Sequence, residues 1–395
     1  MAKVPNSVLD LLIEMIAFDT VNEHISEQPF PEKKMMERIE SYALQWGFQV
    51  SRLPIANASP DSAFNLLITY EAHKNNPWLL FESHADTVDV NNMTVNPFIA
   101  EVIDGRLYGR GACDTKGSGA SMLWALQRFS KGADKPNNPN NIALLFVTDE
   151  EISKTGANSF VGDHLPQLPW KPVGVIVGEP TMCKVIVAHN GVLRWKIRTK
   201  GYAAHSSNPA NGRSAISSMA KLILEFERIY CAETNAIHPL TGSSACSINT
   251  INGGSAVNII PSNCEIEIDR RILPGEDPFE VRKSIQAVLE GISLADSSIE
   301  IETSEPFIDF PLDPVSNVEF AAQISKSLDS LGFADELLGV AYGTDASTYS
   351  NAGLSAVVIG PGSIDQAHTK DEWIEIQELD KAVVIYEQFM KANYK

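Results

Sequence analysis

The stretch Ile142-Ala143-Leu144-Leu145-Phe146-Val147-Thr148-Asp149-Glu150-Glu151 decides how the chain is read. Its apolar half, rich in branched side chains, has the length and composition of a buried strand, and three consecutive carboxylates follow at the C-terminal edge. An acidic triplet standing alone is commonly a solvated turn. Here other apolar runs end in the same manner. Trp78 to Phe81 runs into Glu82-Ser83-His84-Ala85-Asp86, Val173 to Val177 is followed by Gly178-Glu179-Pro180, and Ser355 to Gly360 leads on to His368. In an open, mostly parallel sheet, ligands gather beyond the carboxyl ends of the strands, so these ends are expected to meet.

Each motif has its own local logic. In an extended chain residues two apart face the same way, so Asp86 can accept the proton of the non-coordinating ring nitrogen of His84. Glu150 and Glu151 are neighbours at a strand end and point in different directions, which lets one bind a metal while the other holds a water. The run Gly105-Arg106-Leu107-Tyr108-Gly109-Arg110-Gly111-Ala112-Cys113-Asp114-Thr115-Lys116-Gly117 precedes a helix-forming segment, Ser118 to Phe129. It lacks both G-K-[ST] and G-x-G-x-x-G, so a phosphate loop is set aside, and its glycines instead expose the Asp114 carboxylate at the start of the helix. Histidines and carboxylates without cysteine suit a hydrolytic zinc centre, and two histidines with several acids are enough for two ions.

Composition narrows the partners. The chain has 31 basic and 50 acidic residues, a net charge of −19, which argues against nucleic acid or an anionic membrane and is compatible with a cationic small molecule. Five cysteines, Cys113, Cys183, Cys231, Cys246 and Cys264, are scattered and without a C-x-x-C pair, and read as reduced thiols. At the N-terminus Val8, Leu11, Leu12, Met15 and Ile16 recur at helical spacing, interrupted by Asp10 and Glu14, unlike the continuous apolar core of a signal peptide. A soluble, cytoplasmic protein is expected.

A chain of 395 residues exceeds one compact core and suggests two domains. Helices are expected over Lys33 to Trp46, Asn317 to Leu331 and Ile376 to Tyr394, and strands over Gln49 to Leu53 and Asn65 to Tyr70. From about Lys184 the texture changes. Val185 to Thr199, Ala245 to Ile251 and Cys264 to Ile272 alternate like half-exposed strands, with helical runs Ala215 to Tyr230 and Pro278 to Leu289 between them. The expected fold class is therefore α/β: a mostly parallel sheet flanked by helices, residues 1–184 and 305–395, with an inserted α+β sandwich domain bearing an antiparallel sheet, residues 185–304.

The motifs S-H-A-D-T-V, G-R-G-A-C-D-T-K-G, T-D-E-E, G-E-P-T and G-Y-A-A-H-S-S, in this order along essentially the whole chain, resemble the di-zinc aminoacylase family. That family includes acetylornithine deacetylases, succinyl-diaminopimelate desuccinylases and glutamate-releasing carboxypeptidases, and the segment from Gly360 to His368 with Asp371-Glu372 most resembles the first of these. The resemblance implies a zinc-peptidase-like catalytic domain and hydrolysis of the N-acyl amide of an amino acid. It implies two Zn²⁺, which Co²⁺ can replace, held by His84 and Glu179 on one side and Glu151 and His368 on the other, with Asp114 bridging. It implies Glu150 as general base, Asp86 orienting His84, His205 stabilising the oxyanion, and Arg271 and Asn258 holding the substrate carboxylate. It also implies a homodimer formed through the inserted domain. Three positions depart from the family pattern: Asp89 where proline is usual, Ser83 where glycine is common, and Cys113 where a small residue is usual.

Alternatives stay open at this point. A dipeptidase, a carboxypeptidase or a desuccinylase would differ only in the pocket, and a non-catalytic metal-binding relative would have no need of Glu150. Arg270 and Arg271 are neighbours, one of them expected to be a surface cation. Gly343-Thr344-Asp345-Ala346-Ser347 reads equally as a pocket loop or as a turn capped by Asp345. His24, His73, His164, His189 and His238 have no ligand-type surroundings.

Overall fold

The computed structural model describes residues 4–55, 63–132, 139–333 and 336–395. Every residue of the strand Asn141–Val147 is buried. It is one of eight strands in the principal sheet: β1 (Gln49–Pro54), β2 (Phe64–Tyr70), β3 (Trp78–His84), β4 (Asn141–Val147), β5 (Pro172–Val177), β6 (Ile186–His189), β7 (Leu338–Val340) and β8 (Ala356–Val358). Across the sheet they run β1-β2-β4-β3-β5-β8-β6-β7. The pairs β4/β3, β3/β5 and β5/β8 are parallel. The pairs β1/β2, β2/β4 and β8/β6 are antiparallel, so the sheet is mixed with a parallel centre.

That parallel centre positions the site. His84 lies opposite Val147, Glu82 opposite Val177, and Val177 opposite Val358, so four strands finish at one edge of the sheet. Strands covered on both faces are apolar throughout, which is why β4 carries no alternation. Helices Lys33–Gln45, Lys116–Lys131, Val318–Asp329 and Ile376–Lys391 supply the cover. Met36, Ile39, Leu123, Phe129, Phe146, Ile324, Tyr386 and Phe389 share one continuous core. Helix Lys116–Lys131 crosses so close to the end of β5 that a Cβ on Gly178 would stand 2.7 Å from Ser118 Cβ.

The chain divides into two compact units, one of residues 1–187, 314–338 and 344–395, the other of residues 188–313 and 339–343. The second has its own sheet, ordered Ala245–Gly253, Asn263–Ile272, Gly191–Lys200 and Glu300–Thr303, with Phe307–Asp309 also on Gly191–Lys200; every pair is antiparallel. Helices Ala215–Phe226 and Pro278–Ala295 pack on it. Its core is separate and includes Trp195, Ile197, Met219, Phe226, Ile266, Ile268, Ile285 and Leu289. Together these give the expected α/β class with an antiparallel α+β insertion.

Several expectations need correction. The run Val185 to Thr199 is two strands in two sheets, broken at Asn190. A Cβ on the next residue, Gly191, would stand 2.3 Å from the carbonyl oxygen of Asp309, so glycine permits this crossing. The second unit continues past residue 304 because Phe307–Asp309 pairs with Gly191–Lys200. The helix from Ala215 ends at Phe226 and widens into a π turn over Glu227–Cys231, while that from Pro278 reaches Ala295. Among the described residues no helix is long and apolar enough to cross a membrane.

Candidate metal centre

Strand β3 delivers His84 to the sheet edge with 2% of its side chain exposed. Its Nδ1 lies 3.0 Å from the backbone carbonyl of Asp86, which fixes the proton on that nitrogen and leaves Nε2 facing Asp114. The Asp86 carboxylate was expected to take this proton; it stands farther off, at 3.6 Å. It accepts instead from the backbone N–H groups of Glu150 (3.0 Å) and Glu151 (3.2 Å) and from Asn22 Nδ2 (2.8 Å). Asp86 thus ties the end of β3 to the acidic turn after β4.

Asp114 lies between the two histidines. Its Oδ1 is 3.1 Å from His84 Nε2 and its Oδ2 is 3.3 Å from His368 Nε2. His368 Nε2 is also 3.0 Å from Glu151 Oε2, and Glu179 Oε1 stands 3.8 Å from His84 Nε2. The donor atoms of His84, Glu150 and Glu179 lie within 4.8 Å of one another, as do those of His84, Asp114 and Glu151. His84, Asp114, Glu150, Glu151, Glu179 and His368, distant in sequence, are therefore brought into one nest within the first unit.

The electrostatics describe a site crowded with negative charge. Burial opposes the Asp114 charge, but hydrogen bonds from His368 and His84 prevail and hold its carboxyl well below the usual range. Burial raises Glu179, and the Asp114 charge adds to it; burial and Asp345 raise Glu150. Hydrogen bonds to Asp114 and Glu151 push His368 up to about 10. A cation fits these residues. Two donors sharing one zinc at about 2.1 Å in a tetrahedron are roughly 3.4 Å apart, within the 3.0–3.8 Å range of the histidine–carboxylate separations. Moreover Glu151 Oε1 is buried without a hydrogen-bond partner. The His368 side chain is 53% exposed, so the nest is open on that side.

The remaining candidates lie in the second unit. His205, in Ala204–His205, is opposite Ile259, and the N–H of Ser206 donates to the Asn258 carbonyl at 2.9 Å, so His205 and Asn258 share one short ribbon. His205 Nδ1 is 2.8 Å from Ser207 Oγ. Arg271 is half-exposed and pairs with Asp269 at 3.0 Å. Its neighbour Arg270 is not a surface cation: it is buried and bound to Glu276 at 2.7 Å.

Motif reading passed over Asn22 and Lys154 and left Asp345 open between a pocket loop and a helix cap. Asn22 Nδ2 donates to both Asp86 (2.8 Å) and Asp149 (2.9 Å), stitching the first motif to the acidic turn. Lys154 is buried, its Nζ donating to the Thr344 carbonyl at 2.6 Å, and its charge lowers Glu150, while that of Asp345 raises it. Asp345 stands at the N-cap of Ala346–Asn351 but makes no side-chain cap bond; Thr344 Oγ1 accepts from the Ala346 N–H instead. Spacing from a strand end finds none of these, since each acts from a loop.

Comparison with known proteins agrees with this geometry. Residues 80–392 match the model of peptidase family M20/M25/M40. The acetylornithine deacetylase of Buchnera aphidicola subsp. Schizaphis graminum is 28% identical over 403 residues, covering 98% of each chain. A probable carboxypeptidase of Aspergillus terreus is 28% identical over 378 residues, 91% of this chain and 82% of that one. Among solved structures, an M20 family metallo-carboxypeptidase from Sulfolobus solfataricus superposes with a TM-score of 0.77 at 18% identity, covering 99% of both chains.

Proposed function

The chain belongs to peptidase family M20/M25/M40 and is a metal-dependent hydrolase of amides, and from that premise we propose that it removes the acyl group from an N-acyl amino acid, N-acetylornithine first among them. The observation that carries this reading is the Asp114 carboxylate, with one oxygen facing each of two histidines, as a bridge between two cations requires. His84 and Glu179 would hold one ion, Glu151 and His368 the other. Two divalent ions so held, taken to be Zn²⁺, would polarise the amide carbonyl and bring a water's pKa toward neutrality.

The chain's own groups do the rest. Glu150 takes the proton of the attacking water and passes it to the leaving amine nitrogen, as a half-buried carboxyl of raised proton affinity suits. Asp86, through the N–H groups of Glu150 and Glu151, sets the direction of both carboxylates. His205 donates to the oxyanion that develops as the carbonyl carbon becomes tetrahedral, and Asn258 and Arg271 hold the substrate carboxylate, a fork matched to two oxygens. The second unit is proposed to carry the contact of a homodimer, in a soluble, cytoplasmic enzyme.

A second reading, a dipeptidase or carboxypeptidase, is favoured by the Aspergillus relative, and a desuccinylase would use the same nest with another acyl pocket. A panel of N-acetyl and N-succinyl amino acids and dipeptides, compared by kcat/KM, tests the choice. N-acetylornithine is expected to exceed the other substrates by tenfold or more; a dipeptide leading the panel would reject it in favour of the peptidase reading.

A further inference from the structure

One buried carboxylate outside the proposed ligand set touches both segments that hold the nest together. Glu372 is fully buried, four residues beyond His368. Its Oε1 accepts from the backbone N–H groups of Cys113 (2.7 Å) and Asp114 (2.9 Å). Its Oε2 accepts from the N–H of Gly111 (3.0 Å) and from Arg110 Nη1 (2.8 Å). Its backbone carbonyl takes a fifth bond, from the Gly109 N–H at 3.1 Å. The loop from Gly109 to Asp114 is therefore folded around this one side chain. The neighbouring Asp371 faces away, its carboxylate accepting from the Thr94 and Val95 N–H groups at 2.8 and 3.1 Å.

We propose that Glu372 is a positioning residue for the metal centre: it locks the loop that presents Asp114 to the segment that presents His368, and so sets the span between the bridging carboxylate and the second histidine. The chemistry supports this division of labour. Four donors on a buried carboxylate, one of them a guanidinium, make a rigid junction, because each is left unsatisfied if the acceptor turns away. The Asp114 N–H is itself one of the four, so its backbone cannot shift without breaking a bond to Glu372. His84 and Glu179 arrive from β3 and the turn after β5, whose places are set by sheet pairing rather than by this junction. Loosening Glu372 should therefore weaken both ions through the shared Asp114, and weaken the ion held by Glu151 and His368 more, because the segment that presents His368 loses its anchor as well.

The inference rests on the two-cation reading, and the test separates the two. Wild type, E372Q and D371N are stripped with a chelator and titrated with Zn²⁺ against a chromogenic competitor, with circular dichroism as the check on folding. In E372Q the amide nitrogen faces donors where an oxygen stood. Its second zinc is expected to bind 10- to 100-fold more weakly, as is usual when a partner behind a ligand is lost, and its first to lose at least threefold less than the second. D371N should match wild type at both steps. Should E372Q fail to fold, R110K replaces it, with a loss of threefold or more expected at the second step and a smaller one at the first. Equal weakening of both steps, the same loss in D371N, or unchanged affinities in the folded variant would overturn the role of Glu372. A wild type that binds no zinc would instead remove the metal reading beneath it.

Discussion

At the scale of single residues, four of the six candidates were legible because they sit where apolar runs stop, whereas Asp114 and His368 stand on loops. His84 and Glu179 each lie at or just past the end of a strand, and Glu150 and Glu151 follow β4 within four residues. What could not be read was which atom each group faces. The Asp86 carboxylate turns to the N–H groups of Glu150 and Glu151 and leaves its own carbonyl to His84, a choice made by tertiary contacts. Asn22 reaches the same carboxylate from 64 residues away. Glu150 carries the most exposed prediction at this scale. It is proposed as a base and not as the holder of an ion, so Glu150→Ala should cost about 10²- to 10⁴-fold in kcat while the metal content stays that of wild type. Steady-state kinetics beside elemental analysis checks it, and loss of metal in step with activity would make Glu150 a ligand instead.

At the scale of elements, periodicity located the helices and strands but not their ends. The helix expected from Ser118 to Phe129 runs over Lys116–Lys131, since its first turn lies in the glycine-rich run that reads as loop. Runs apolar throughout announced the parallel centre of the sheet, but the order in which its strands stand follows no local signal; it comes from the crossing helices, which bury both faces. Close approach is the feature that such helices demand of the strand ends. Gly178 meets Ser118 Cβ, Met122 Cε and the Glu82 carbonyl oxygen within 3.3 Å of where a Cβ would stand. Gly178→Ala should therefore destabilise the chain by about 1–3 kcal/mol through overpacking. Urea unfolding measures it, and an unchanged midpoint would show that the crossing has slack.

At the scale of the whole molecule, the chain divides into two units that each bury a core of their own, and the texture of the sequence changes near Lys184, close to where the second begins. Its limits were harder to place: the chain returns to Gly191–Lys200 at Phe307–Asp309, and five residues, 339–343, belong with the second unit from the far side of a helix. No periodic pattern announces so short a return. The acidic balance of the chain is in keeping with a nest that gathers carboxylates. The central claim is that His84, Asp114, Glu151, Glu179 and His368 hold two ions on which hydrolysis depends. Metal content per chain, measured by elemental analysis on the same sample assayed for N-acyl amino acid hydrolysis, tests it most directly. Two divalent ions per active chain, with activity lost as they are chelated and regained with Zn²⁺ or Co²⁺, is the expected result; full activity in a metal-free chain would contradict it.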